Sequence, residues 1–116
     1  MKLLLSLIIL LALPLAAADV SGTWKAQVDI AGNQATPEFT FKQDGDKLTG
    51  TYKGMLGEAP ITGTTDGKKI TWTLKANFEN TPITIVYTGT LESDTLIKGT
   101  VDFGGQADGT FTAKKE

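Results

Sequence analysis

All nine aromatic residues of this chain fall on the apolar side of a two-residue alternation. From Thr23 to Ile30 one parity reads Trp24, Ala26, Val28 and Ile30, and the other reads Thr23, Lys25, Gln27 and Asp29. From Ile70 to Phe78 the same rule sets Ile70, Trp72, Leu74, Ala76 and Phe78 against Thr71, Thr73, Lys75 and Asn77. Successive side chains of a strand point to opposite sides, so each such run has one dry face and one wet face. The pattern predicts a small antiparallel all-β domain with a single aromatic-rich interior.

Alternation and turn residues place eight strands, at 21–30, 38–43, 47–53, 60–65, 69–78, 83–91, 95–103 and 109–115. Three connections read as tight: Asp44-Gly45-Asp46, Asp66-Gly67 and Glu92-Ser93-Asp94. Asp-Gly supplies the positive φ that a short hairpin turn requires. No segment of the domain has a helical period, and the links are too short for crossover helices. The expected topology is an up-and-down meander. Eight strands close into a barrel whose interior is either filled or holds one small ligand. A sandwich would need the longer links of a Greek key. The other four connections, 31–37, 54–59, 79–82 and 104–108, read as longer, and in a meander all four lie at one end. That end is expected to be open and to carry function.

A Gly-Thr pair recurs in six strands, and Gly50, Gly63, Gly89 and Gly99 fall on the dry face. Glycine there either relieves crowding where a strand coils to close a barrel, or leaves room for a ligand.

The first 18 residues read as a leader rather than as part of the fold. Met1-Lys2 is basic, Leu3 to Leu15 is an apolar run, and Ala16-Ala17-Ala18 is an A-x-A cleavage site. This is the pattern of a secretory signal peptide, too short to span a membrane comfortably. Cleavage after Ala18 leaves one domain, 19–116, that is secreted or periplasmic. Without Cys in the chain, no disulfide staples it and no lipid is attached at the cleavage site. The 11 basic residues are all Lys, against 13 acids. A chain with no Arg and no basic stripe is a poor reader of phosphates, which excludes nucleic acid as a partner.

Catalysis needs a positioned acid, base, nucleophile or metal. His and Cys are absent. Every carboxylate and lysine borne on a strand falls on the wet face, among them Asp29, Glu38, Asp102, Lys25, Lys42, Lys53, Lys75, Lys98 and Lys114. The polar side chains on the dry face are Tyr52 and Tyr87, with Gln43 and Thr65 near strand ends. A carboxylate pair inside the barrel, as a glycosidase needs, is therefore not available. Asp44-Gly45-Asp46 lacks the ligand spacing of a calcium loop. No enzyme activity, cofactor or metal is expected.

Two non-enzymatic readings remain. In the first, a small apolar or aromatic ligand enters the open end against Trp24, Tyr52, Trp72 and Tyr87. Met55 and Leu56, the one apolar pair in a loop, then act as a gate, and Asn33, Gln34, Asn77, Asn80 and Gln106 form a polar rim. In the second, the barrel is solid and binds a protein or glycan through its loops or its threonine-rich outer face. Interior volume separates them, with roughly 300 Å³ or more pointing to a ligand.

Gly22-Thr23-Trp24, Leu48-Thr49-Gly50-Thr51-Tyr52, Trp72-Thr73 and Thr110-Phe111-Thr112 follow one another in an order and approximate spacing that resembles the avidin family. The resemblance covers nearly all of 19–116. It implies an eight-stranded meander barrel with a ligand site at one end, and puts Tyr52 in the place of a tyrosine that donates to the ureido oxygen of biotin. Other positions depart from that pattern. The ureido-binding Asn falls on Ala26, a Ser on Ile30, a second Trp on Ala76, and an Asp on Gly109, next to Asp108. Lost hydrogen bonds of this kind cost about 1–3 kcal/mol for each buried group left unpaired, so biotin is not expected to bind. The chain is also similar to small secreted bacterial meander domains. Lipocalins share the architecture, but their long helix and the motif after Gly-x-Trp are missing.

Overall fold

The structure is a computed structural model and describes residues 19–116; the leader expected at 1–18 lies outside the described residues. The strands are β1 (Gly22–Ile30), β2 (Asn33–Ala35), β3 (Glu38–Asp44), β4 (Lys47–Gly54), β5 (Gly57–Thr65), β6 (Lys69–Phe78), β7 (Thr81–Ser93), β8 (Leu96–Phe103) and β9 (Ala107–Lys115). From β3 onward each pairs antiparallel with its sequence neighbour, and β1 pairs with β9, from Trp24↔Lys115 to Ile30↔Gly109. The sheet therefore closes on itself. No helix interrupts it among the described residues.

β2 and β3 act as one strand of the wall. Both pair with β1, β2 over Val28–Ile30 and β3 over Gly22–Lys25. Between them stands Pro37, whose ring has no N–H to give to the ladder. Its carbonyl still accepts from Ala26 N at 2.9 Å. The result is the expected eight-stranded up-and-down barrel, with one wall strand bent at Thr36-Pro37.

The expected difference in loop length between the two ends is corrected by the structure. Ala31-Gly32, Met55-Leu56 and Glu79-Asn80 are two-residue links, and Gly104-Gly105-Gln106 is a three-residue one. Segments read as loops are strand ends: β5 begins at Gly57, β7 at Thr81 and β9 at Ala107. The ends of the barrel differ in what fills them.

One half is solid. Trp72 and Tyr87 face each other across β6 and β7 and stack at 5.1 Å with an interplanar angle of 4°. Phe39 meets both edge-on, at 5.2 and 5.0 Å. Phe111 does the same at 5.4 and 5.2 Å, and Phe41 meets Trp72 at 4.9 Å. Tilted and edge-to-face pairs at these distances are the favoured aromatic geometry. Below them Trp24 is fully buried, and its Nε1 donates to Val20 O at 2.9 Å. Gln43 ties the entering segment down: its Oε1 accepts from Val20 N, and its backbone N–H donates to Ser21 Oγ.

The inward glycines belong to this packing. Gly50 lies opposite Phe41, Gly63 opposite Trp72, and Gly99 opposite Phe111. A Cβ at any of the three would strike a backbone carbonyl of the adjacent strand. At Gly89 it would meet Ile97, Lys98 and Phe111. Of the two readings of these residues, close approach is the observed one; none of the four borders the cavity described below. No charged side chain is buried among the described residues, and the one buried polar residue is Thr65.

Candidate functional site

The half of the barrel beyond Tyr87 is not filled. A cavity of about 460 Å³ opens there, predominantly apolar in its walls. Each element places a dry-face residue on it according to its alternation. β1 gives Val28 and Ile30, β4 gives Tyr52, β7 gives Ile85 and Tyr87, and the ends of β6 and β8 give Phe78 and Phe103. Asn33, Gln34, Ala35 and Pro37 close one side, and the Met55-Leu56 turn closes another. Phe78 and Phe103 meet edge-on at 5.3 Å at the mouth. Met55, at 78% exposure, and Phe78, at 38%, are the large apolar residues left in water, and both border the cavity.

Tyr52 links the cavity to its cover. Its Oη accepts the Leu56 backbone N–H at 3.4 Å, so its own hydrogen remains free to donate. Gly54 makes this possible: a Cβ there would stand 2.6 Å from Tyr52 Oη and 3.2 Å from Pro37 Cβ. Burial pushes the Tyr52 hydroxyl above its ordinary value, against the opposing effect of the Leu56 hydrogen bond. Burial pushes Tyr87 up strongly, and the nearby Tyr52 adds to the shift. Both hydroxyls therefore keep their protons well above neutral pH and are available to donate.

The structure brings Tyr52, Tyr87, Met55, Leu56, Asn33 and Gln34 together around one space. It does not bring the tryptophans there. Trp24 sits at the far end of the barrel, and Trp72 lies behind Tyr87, both fully buried. Their expected role as ligand-binding surfaces is corrected to one of packing. Asn77, Asn80 and Gln106 are exposed and do not border the cavity, so the polar rim reduces to Asn33 and Gln34. Phe78 and Phe103 were missed, although each is the last dry-face residue of its strand and so had to stand at the mouth. Of the positions matching avidin ligand contacts, Tyr52 brings a hydroxyl to the cavity, whereas Ala26, Ile30, Ala76 and Gly109 bring no polar side chain.

Trp72 Nε1 is buried without a hydrogen-bond partner among the described residues. The rings of Phe41 and Phe111 meet the indole at 69° and 75°. The orphan donor is a cost of the dense aromatic packing around it.

No protein-family model and no curated protein sequence matches the chain. Solved structures do match in shape. A redesigned β-barrel, b11L5F_LGL, has a TM-score of 0.71 at 14% identity, covering 86% of this chain and 96% of its own. A second redesigned β-barrel, mFAP1, solved bound to DFHBI, has a TM-score of 0.62 at 16% identity, covering 83% and 94%. The structure of EF1p2_mFAP2b bound to DFHBI has a TM-score of 0.61 at 13% identity, covering 84% and 94%. At such identities the likeness extends to the fold, a closed eight-stranded antiparallel β-barrel.

Proposed function

We propose that the protein is a secreted, non-enzymatic binding barrel that takes a small apolar or aromatic ligand through the end formed by Met55, Leu56, Phe78 and Phe103. The cavity carries this reading: about 460 Å³ of apolar-walled space is large enough for a small molecule. Two barrels of the same fold are bound to DFHBI, which supports the use of this architecture for a ligand. Among the described residues no acid, base or nucleophile of ordinary reactivity borders the space, and two tyrosines held in their neutral form are weak substitutes. The avidin-type clamp that the motifs resemble supplies one hydroxyl here, so biotin is not the ligand we favour. The leader at 1–18 would export the chain, and a mass measurement on exported protein should give a chain starting at Asp19.

The direct test is a fluorescence titration of the purified protein with N-phenyl-1-naphthylamine, an uncharged apolar probe, and with DFHBI. Saturable binding of the first at one site is expected, and Ile30→Trp, which fills the cavity from β1, should abolish it. A flat titration for both probes, or binding untouched by Ile30→Trp, would end the proposal.

A further inference from the structure

The polar groups of the cavity and the charges around its mouth restrict what can enter. Tyr87 is 4% exposed and borders the cavity, and among the described residues no hydrogen bond holds its hydroxyl. Among the described residues the sealed polar atom without a partner is Trp72 Nε1; the Tyr87 hydroxyl instead opens onto the cavity, where a ligand oxygen can take the place of water as its acceptor. No lysine borders the cavity, so an ionised carboxylate taken inside would be buried without a counter-charge. The surroundings of the mouth act in the same direction. Within three residues of its turns and of Thr36-Pro37 stand Asp29, Glu38, Glu58, Glu79, Asp102 and Asp108, against Lys53 alone. An acidic surround of this kind repels an approaching anion.

Building on the binding reading above, we infer that the site selects uncharged, ring-bearing molecules with a carbonyl-type oxygen, which accepts a hydrogen bond from the Tyr87 hydroxyl while the ring lies among Ile30, Ile85 and Phe103. Tyr52, whose hydrogen is free, is the neighbouring second donor for the same oxygen. Fatty acids and other ionised acids are excluded by this chemistry.

Three molecules of nearly one shape separate the terms: 2-acetylnaphthalene, 2-ethylnaphthalene and 2-naphthoate. Each is titrated at pH 7 as a competitor of bound N-phenyl-1-naphthylamine on the whole protein. The acetyl compound should compete about three- to tenfold better than the ethyl compound, the range of one net hydrogen bond. The naphthoate should be about tenfold or more weaker than the acetyl compound. In Tyr87→Phe the acetyl-to-ethyl ratio should fall toward one, whatever happens to absolute affinity. Equal binding of acetyl and ethyl compounds by the natural chain, or naphthoate binding as well as the ketone, would overturn the inference while leaving a binding barrel. An unchanged ratio in Tyr87→Phe would overturn the role of that hydroxyl. If the probe itself does not bind, the reading beneath falls first and takes this one with it.

Discussion

At the scale of single residues, the interior is built from pairs in which a ring covers a glycine on the next strand. Gly63 opposite Trp72 is the clearest case, because Trp72 also stacks on Tyr87 and is held edge-on by Phe39, Phe41 and Phe111. A methyl group at Gly63 would meet the Thr71 carbonyl and the Trp72 backbone, which have nowhere to go. Overpacking of this kind costs about 1–3 kcal/mol. Gly63→Ala should lower stability by that amount in urea unfolding, whereas Gly45→Ala on the exposed far-end turn meets no neighbouring atom and has only its positive φ to overcome. A neutral Gly63→Ala would mean that these glycines are not there for close approach. The dry-face membership of both partners was readable from alternation. That they face each other was not, because register depends on where each turn lies.

At the scale of elements, the four hairpins at the open end were hidden by their turn residues. A two-residue primed turn needs positive φ at its central positions and favours Asn-Gly. Here Ala31 and Gly32 take φ of 52° and 87°, and Glu79 and Asn80 take 52° and 65°. Ala and Glu do not announce such a turn, so both links read as irregular loops; Asn33–Ala35 reads as loop, and the strand after Asn80 reads as starting two residues late. The same fact yields a prediction. An L-residue with a Cβ pays for the left-handed conformation, and Asn pays less than Ala. Ala31→Asn should stabilise the protein by about 0.5–1 kcal/mol, seen as a rise of a few degrees in the unfolding midpoint. An unchanged or lower midpoint would show that this turn is not strained. The Met55-Leu56 turn differs: its flanking Gly54 and Gly57 pair with each other in the ladder, and the Leu56 N–H donates to Tyr52 Oη at 3.4 Å.

At the scale of the whole molecule, every lysine and carboxylate among the described residues stays outside the wall, and the inward titratable groups there are Tyr52 and Tyr87. Both contribute to the loss of stability expected at alkaline pH. Their values in the barrel are raised from 10.0, so the folded state favours the neutral phenol. The stability they contribute is fully present below about pH 10 and is lost as pH rises through the folded values. For Tyr87, the more deeply shielded of the two, the loss should approach about 1.4 kcal/mol per pH unit once the unfolded chain ionises. Urea midpoints measured from pH 8 to 11 should show a steeper fall above about pH 10 for the natural chain than for Tyr87→Phe; parallel curves would refute the assignment.

Taken alone, the sequence determined the side on which each residue stands, the antiparallel meander, the absence of interior charge and the number of wall strands. Each of these follows from local chemistry: the two-residue period of a strand, the φ demands of turns and the cost of burying charge. Only the tertiary structure decided depth. Alternation places Trp24, Trp72, Tyr52 and Phe103 on the same interior face, yet Trp24 and Trp72 are packed solid while Tyr52 and Phe103 border open space. Position along the barrel axis depends on strand tilt and on register between neighbours, which are properties of the closed sheet as a whole and are written in no single strand.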